Sequence, residues 1–331
     1  MDQNFKNLKI ISGSEVEPRE VEWLWYPYIP YGKVTIVQGD PGEGKSTFVL
    51  NLAAMLTTGT PLPSSAGDFV GESEPINVIY QNTEDDLEDT VIPRFIKAGG
   101  DRSRVFFIDE SDAALSFADK RIGETIRRTG AKLIIFDPLT SYIGEDISIN
   151  LANEVRSRMN YLIDAAKETG CAVVIVGHMN KMSGAKALYR SLGSIDVVGS
   201  ARSCLLIGSS PDDPGKRIMV VQKCNLAEKG KSIEFCIDSG KVSFLRYVDV
   251  TADELVNAFS SAGKRTNTKL EKAKEVLVRM LTDGPKLQRD VMAEMTSLGI
   301  SKRTAADAKG ELGVISRKIK DAWIWELPEK L

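Results

Sequence analysis

Residues 39–46 read Gly39-Asp40-Pro41-Gly42-Glu43-Gly44-Lys45-Ser46 and fit the pattern G-x-x-x-x-G-K-[ST]. An apolar run, Lys33–Gln38, precedes them, and a helical pattern, Ser46–Thr58, follows and ends at Gly59. Glycines in such a turn let the backbone wrap around phosphate groups, and the start of the helix adds a favourable dipole. The stretch therefore predicts a phosphate-binding loop (P-loop) between a buried strand and a helix.

The P-loop pattern also predicts its ligands. We expect residues Gly39 to Thr47 to bind ATP, with the Lys45 ammonium at the β- and γ-phosphates and the Ser46 hydroxyl on Mg²⁺. An ordinary glycine turn is the alternative, and the strand–loop–helix context argues against it.

Apolar runs of strand length recur after the P-loop. They are Asn77–Tyr80, Val105–Ile108, Leu133–Phe136, Ala172–Val176 and Cys204–Ile207. Because these runs do not alternate with polar residues, they predict strands buried on both faces of a mostly parallel sheet. Three further runs lie close together and predict an antiparallel extension: Arg217–Gln222, Ser232–Ile237 and Val242–Leu245. The expected fold class is α/β, a mostly parallel twisted sheet with helices on both faces.

Carboxylates follow two of the predicted strands. Leu133–Phe136 runs directly into Asp137, the candidate Walker B residue that would bind Mg²⁺. Asn77–Tyr80 is followed by Glu84, Asp85 and Asp86, of which we assign Glu84 as the general base for water. The alternatives are a plain loop start at Asp137 and, for the three acids, the favourable dipole of a helix N-terminus.

His178 is the single histidine and follows the predicted strand Ala172–Val176. It is either a sensor of the γ-phosphate or a structural residue at the end of a strand.

These motifs together resemble RecA-like ATPases of the RepA type, the plasmid-replication hexameric helicases and their phage and mobile-element relatives. The resemblance covers about residues 15–245. Besides the P-loop and the strands leading to Glu84, Asp137 and His178, it rests on Trp23–Pro27, Ile29–Lys33, Arg190–Ser194 and Ala201–Ser203.

The resemblance implies a homo-oligomeric, hexameric ring with ATP between subunits. Arg202 would reach into the neighbour's site as an arginine finger, although an arginine that caps a strand or helix is the alternative. Lys223 occupies the first position of the Lys-x-Arg pair found in related rings, but Asn225 replaces its arginine. The resemblance also places a loop with Lys181, Lys186 and Arg190 towards the ring centre, as candidate contacts to DNA.

The C-terminal residues 269–331 show a different order of helical and strand patterns. Two helical patterns, Lys272–Leu281 and Leu287–Leu298, precede a third that starts after Ser301, its expected N-cap. Two short strand patterns follow, Val314–Ile319 and Ala322–Leu327. This order predicts a small winged-helix (helix-turn-helix) domain.

Basic residues concentrate in that region. Lys302 and Arg303 begin the third helix, and Arg317 and Lys318 lie in the wing, so all four are candidate DNA contacts. Residues 264–331 hold 15 Lys/Arg and 10 Asp/Glu, whereas the whole chain has a net charge of −3. A basic tail indicates a polyanionic partner, although a solvated face on a protein-interaction domain remains open.

The cysteines and the lengths of the apolar runs indicate the cellular compartment. The four cysteines show no metal-ligand spacing and indicate reduced thiols buried in strands. The N-terminus, Met1–Ile10, lacks the long apolar run of a signal peptide, and no run reaches the ~18 apolar residues of a membrane span. We therefore expect a cytoplasmic protein without a membrane partner.

The sequence predicts four regions: an N-terminal segment 1–31, a RecA-like ATPase domain 32–250, a polar linker 251–268 and the winged helix 269–331. The leading functional hypothesis is an ATP-hydrolysing DNA motor, a ring-forming replicative helicase of a mobile element. A DNA-binding regulator or recombination ATPase, a small-molecule kinase and an initiator with a structural nucleotide are the rivals.

Overall fold

The computed structural model describes residues 10–64, 74–144, 152–179, 195–282, 284–319 and 322–328. The chain divides into two compact units, Met1–Val256 and Asn257–Leu331. Among the described residues, no helix has the length and apolar character needed to cross a membrane.

The described part of the first unit contains eleven strands. They are β1 (Trp23–Trp25), β2 (Ile29–Pro30), β3 (Val34–Gly39), β4 (Val78–Asn82), β5 (Val105–Phe106), β6 (Leu133–Asp137), β7 (Ala172–His178), β8 (Ser203–Ser209), β9 (Lys216–Cys224), β10 (Ser232–Asp238) and β11 (Lys241–Val248). Its helices are α1 (Lys45–Thr58), α2 (Ile92–Lys97), α3 (Lys120–Thr129), α4 (Leu139–Tyr142), α5 (Ala152–Thr169) and α6 (Ile195–Ser200).

Nine of these strands form one sheet, in the order β11-β10-β9-β8-β3-β7-β6-β4-β5. Strands β8, β3, β7, β6, β4 and β5 are parallel, and β9, β10 and β11 extend the sheet in antiparallel fashion. The expected mostly parallel sheet with an antiparallel extension is confirmed. Because β3, β7, β6 and β4 are parallel neighbours, the residues that follow them meet at one edge.

A hydrophobic core covers each face of the sheet. On one face, Phe48 of α1 packs 5.1 Å from Phe235 and 6.4 Å from Trp25, measured between ring centroids. On the other face, α5 buries Val155, Met159 and further apolar residues of the predicted helical face. The sheet is therefore covered on both sides, which is why its strands are continuously apolar.

The predicted N-terminal segment, 1–31, contributes to the first of these cores. Trp25, Tyr28 and Ile29 are buried there, and the Tyr28 hydroxyl donates to the Lys231 carbonyl at 2.8 Å. The hairpin β1–β2 thus packs with the ATPase domain, although that domain was expected to start at residue 32.

The cysteines are all free thiols, but only part of the expectation for them holds. Cys171 and Cys204 are buried, whereas Cys224 and Cys236 are half-buried. The latter two lie on β9 and β10, in the antiparallel extension rather than in the doubly covered parallel strands.

The second unit is built from α7 (Ala252–Leu281), β12 (Lys286–Leu287), α8 (Gln288–Ser297), α9 (Lys302–Glu311), β13 (Ile315–Ile319) and β14 (Ala322–Glu326), with α7 beginning just before the boundary between the units. Its strands form a sheet in the order β12-β14-β13. The side chain of Ser301 accepts a hydrogen bond from the Thr304 amide, so it is the N-cap of α9 as predicted. Ala273, Leu277, Val291, Met295 and Trp325 belong to a separate core.

The segment expected to be a linker, 251–268, contains the boundary between the two units and is helical from Ala252 onward. Thr251 and Glu254 form a capping box: the Thr251 hydroxyl accepts from the Glu254 amide at 3.3 Å, and the Glu254 carboxylate accepts from the Thr251 amide at 2.7 Å. The segment contains one glycine, Gly263, and no proline, so no strong helix breaker opposes this start signal.

Candidate active site

The P-loop connects β3 to α1 with a backbone that requires glycine. Gly42 and Gly44 have φ of +83°, and Gly44 is the left-handed N-cap of α1. A Cβ on Gly39 would lie closer than 3.0 Å to the Ile207 carbonyl oxygen of β8. The glycines therefore fit both the turn and the close approach of the neighbouring strand.

Lys45 lies inside this loop. Its side chain is only 4% exposed, and its Nζ donates to the Asp40 carbonyl at 2.9 Å. Burial lowers the pKa of Lys45, while the nearby carboxylates of Asp137, Asp40, Glu43 and Glu84 oppose that shift. The ammonium is thus held where a phosphate chain could replace its present partner.

Glu43 fastens the loop to the sheet. Its carboxylate accepts from the Ser209 hydroxyl at 2.7 Å and lies 3.3 Å from Arg217 Nε. The middle of the loop is therefore tied to β8 and β9, which leaves the backbone amides around it as the groups that could meet phosphate.

Asp137 ends β6 and is almost completely buried. Burial raises its pKa, and hydrogen bonds from Ser46 and Tyr80 counteract this; the Tyr80 hydroxyl donates to Asp137 Oδ2 at 3.2 Å. The Ser46 hydroxyl and the Asp137 carboxylate are hard oxygen ligands in mutual contact, so the pair fits Mg²⁺. Thr47 and Ser46 also line a neighbouring cavity of about 330 Å³.

The residues after β4 form a fixed acidic turn. Asn82 Oδ1 accepts from the amides of Glu84 at 3.0 Å and Asp85 at 2.7 Å. Asp85 pairs with Arg94 at 2.7 Å, and Asp86 caps the helical turn that follows. Asp85 and Asp86 are thus engaged in contacts at the start of the helix, whereas the Glu84 side chain is exposed.

Glu84, Lys45, Asp137 and His178 are brought together at the carboxyl edge of the sheet. The charge of Glu84 affects the pKa values of the other three groups. His178 ends β7 opposite Gly39 of β3, and desolvation followed by the Lys45 charge lowers its pKa. These four candidate residues are therefore close enough to interact electrostatically.

Arg202 lies at the opposite edge of the sheet. It precedes β8, and its amide donates to the carbonyl of Val34 at 3.0 Å, where β3 begins. Five residue steps separate Val34 from Gly39, or about 17 Å. Arg202 is exposed and remote from the P-loop of its own chain, so a catalytic role within one chain is excluded.

Lys223 is engaged in a structural contact. Its Nζ donates to the carbonyls of Val198 and Ala201, both at 2.8 Å, near the end of α6. These contacts hold the Lys223 ammonium at the C-terminal end of α6.

The remaining candidate residues lie in the second unit or outside the described residues. Lys302 and Arg303 are exposed in the first turn of α9, Lys318 is exposed on β13, and Arg317 pairs with Glu326 at 2.6 Å. Lys181, Lys186 and Arg190 lie outside the described residues. A metal-binding cluster of His, Cys, Asp and Glu is absent from the part of the chain that the structure describes.

Two side chains at the site were missed in the sequence. Tyr80 supports Asp137 from the adjacent strand, and Arg94 holds Asp85. Neither carries a motif: Tyr80 is one apolar-run residue among others, and Arg94 is an ordinary helix surface residue.

Comparison with known proteins agrees with this geometry. The sequence pattern of the AAA domain matches residues 3–184, more than half of the chain. The chain belongs to the AAA domain family. With the sheet order and the P-loop, the family match shows a RecA-like P-loop NTPase fold.

The chain also shows low sequence identity to two curated proteins. The chain is 25% identical to the DNA repair protein RadA of Halalkalibacterium halodurans over 200 residues, which cover 59% of this chain and 36% of that protein. It is 25% identical to the DNA repair protein RadA of Bacillus subtilis over 152 residues, 45% of this chain and 28% of that protein. The matched region spans about a third of the length of these relatives.

Proposed function

We propose that this AAA domain protein hydrolyses ATP and couples hydrolysis to work on DNA. The observation that carries the proposal is the convergence of Lys45, Asp137 and Glu84 at one edge of the sheet. A P-loop alone binds nucleotide, whereas a carboxylate free to take a proton from water allows hydrolysis.

The contacts support the following proposed roles. Lys45 binds the terminal phosphates, and Glu84 accepts the proton of the attacking water. Ser46 and Asp137 would hold Mg²⁺, which neutralises charge on the phosphates. His178, beside Gly39, senses the presence of the γ-phosphate.

Support for DNA as the partner comes from the two relatives, which are DNA repair proteins, and from the second unit. Its order of helices and strands fits a winged helix, and its cations Lys302, Arg303 and Lys318 are exposed. We propose that α9 and the β13–β14 hairpin bind duplex DNA, and that Lys181, Lys186 and Arg190 contact a single strand.

A steady-state ATPase assay with and without single-stranded DNA tests the main proposal. The full chain should turn over ATP with Mg²⁺ and be stimulated by DNA, and Lys45→Ala should abolish turnover. Lys132→Ala is the matched control, since Lys132 is an exposed lysine just before β6, at the opposite edge. Turnover by Lys45→Ala at the parent rate would disprove the assignment of the P-loop.

Arg202 motivates the proposal of a ring, hexameric by the resemblance to RepA-type helicases. Its exposure and remoteness from its own P-loop fit a finger that acts on a neighbouring subunit. Mixing Arg202→Ala protein with Lys45→Ala protein should restore part of the ATPase activity, because some interfaces then combine an intact loop with an intact finger. No recovery, or a chain that stays monomeric with ATP and DNA, would refute the finger.

A second candidate is a recombination or regulatory ATPase that does not unwind DNA, and the RadA relatives favour it. A strand-displacement assay on a forked duplex distinguishes the two candidates. ATP-dependent displacement identifies a replicative helicase of a mobile element, and DNA-stimulated hydrolysis without displacement identifies the recombination ATPase.

A further inference from the structure

A groove in the second unit lies between α8, α9 and β14. Its volume is about 680 Å³, within the roughly 300–1,000 Å³ of ligand sites. Two indoles, Trp323 and Trp325, and three cations, Arg289, Lys302 and Lys309, line it. We call it the tryptophan groove.

The two tryptophans have different positions in this groove. They are two residues apart on β14, so their side chains share a face of the sheet. Trp325 is 4% exposed and belongs to the core of the unit, with Lys309 Nζ 5.2 Å from its ring centroid. Trp323 is 49% exposed. Trp325 thus forms the floor, and Trp323 presents an open aromatic face.

The charges around the indoles are of one sign. None of the described residues lining the groove is acidic. Arg289 lies 3.3 Å from Asp290, its chain neighbour, but both are largely exposed and such a pair is weak. A single exposed apolar side chain needs no functional explanation, but an exposed indole among three cations matches a ligand with a flat ring and a negative charge.

We propose that the tryptophan groove binds an unpaired nucleotide of a single strand, with its base stacked on Trp323 and its phosphates paired with Arg289 and Lys302. Single-strand-binding surfaces combine these two elements, cationic groups for the backbone and aromatic rings for the bases. A base inside a duplex is stacked on its neighbours and cannot take this position. The groove therefore selects a strand end, gap or fork, and this goes beyond the duplex contacts proposed for α9.

Titration of the full chain with an oligothymidylate of roughly eight nucleotides, within the span of small single-strand sites, tests the inference. Binding should quench tryptophan fluorescence. Trp323→Ala should weaken binding about tenfold, the typical effect of losing one stacked base, and Trp323→Phe should retain most of the affinity. Tyr161→Ala is the matched control, because Tyr161 on α5 is 59% exposed and lies outside the groove.

A second probe distinguishes binding through the base from binding through the phosphates. An abasic oligomer of the same length keeps its phosphates, so Trp323→Ala should not change its affinity. The inference would be overturned if Trp323→Ala lost as much affinity for the abasic oligomer or for a blunt duplex as for oligothymidylate. It would also be overturned if Trp323→Ala bound oligothymidylate with the parental affinity. These outcomes leave the ATPase proposal intact, because ATP turnover and its stimulation by DNA are measured separately.

Discussion

Gly44→Ala tests how the P-loop is shaped. At φ +83°, alanine costs about 1–2 kcal/mol relative to glycine. Its Cβ would also lie closer than 3.0 Å to Cδ1 of Ile237 on β10; because this atom ends a half-buried, rotatable side chain, moving it away costs only about 0.5–1.5 kcal/mol. We therefore expect Gly44→Ala to lower the free energy of unfolding by about 1.5–3.5 kcal/mol and to weaken nucleotide binding.

A double-mutant cycle separates the two costs. Ile237→Val removes only Cδ1, so combining it with Gly44→Ala should recover about 0.5–1.5 kcal/mol and leave the backbone cost in place. Urea unfolding of the four proteins measures this coupling. Ile233→Val, about 13 Å away along the same strand, is the control and should be additive with Gly44→Ala. Additive behaviour of Ile237→Val, or a Gly44→Ala protein as stable as its parent, would refute the reasoning.

Three further results are expected. Glu84→Gln should bind ATP normally and lose about 10²–10⁴ in turnover; parental turnover would place the base elsewhere. Tyr80→Phe removes a hydrogen bond of about 1.5 kcal/mol to Asp137 and should lower turnover about tenfold in a Mg²⁺-saturated assay, and an unchanged rate would show that the bond is dispensable. Arg246→Ala leaves the Glu234 carboxylate, 2% exposed, without the partner that lowers its pKa, so the free energy of unfolding at pH 7 should be lower than that of the parent. Because a lowered pKa stabilises above the unfolded value and loses its effect as pH falls, that difference should shrink between about pH 5 and pH 3, and a constant difference would contradict it.

The sequence predicted the strands and their order along the chain well, because these strands are continuous apolar runs that lead into the motif residues. Lys33–Gln38 and Leu133–Phe136 lie within one residue of β3 and β6. The position of β8 beside β3 depends on pairing between segments far apart in the chain, and local patterns do not encode such pairing.

Other features were encoded but overlooked. Thr251 and Glu254 have the spacing of a capping box, and this spacing predicts the start of α7 within the segment expected to be a linker. The location of Arg202 directly before a parallel strand already placed it at the edge opposite the P-loop. By contrast, the contact of Tyr80 with Asp137 joins residues 57 positions apart, so only the folded sheet reveals it.

The antiparallel extension has a consequence for how this protein is made. Glu43 bonds to a residue 166 positions later, and Asn51 of α1 bonds to Gly240 and Val242, 189 and 191 positions later. The segment 3–184 contains the whole P-loop motif but none of these partners. During synthesis the loop would emerge early and gain its supports only when β8 to β11 have followed. Folding that depends on such long loop closures is slow, and a chain truncated after residue 200 would keep the motif while losing the contacts that shape it.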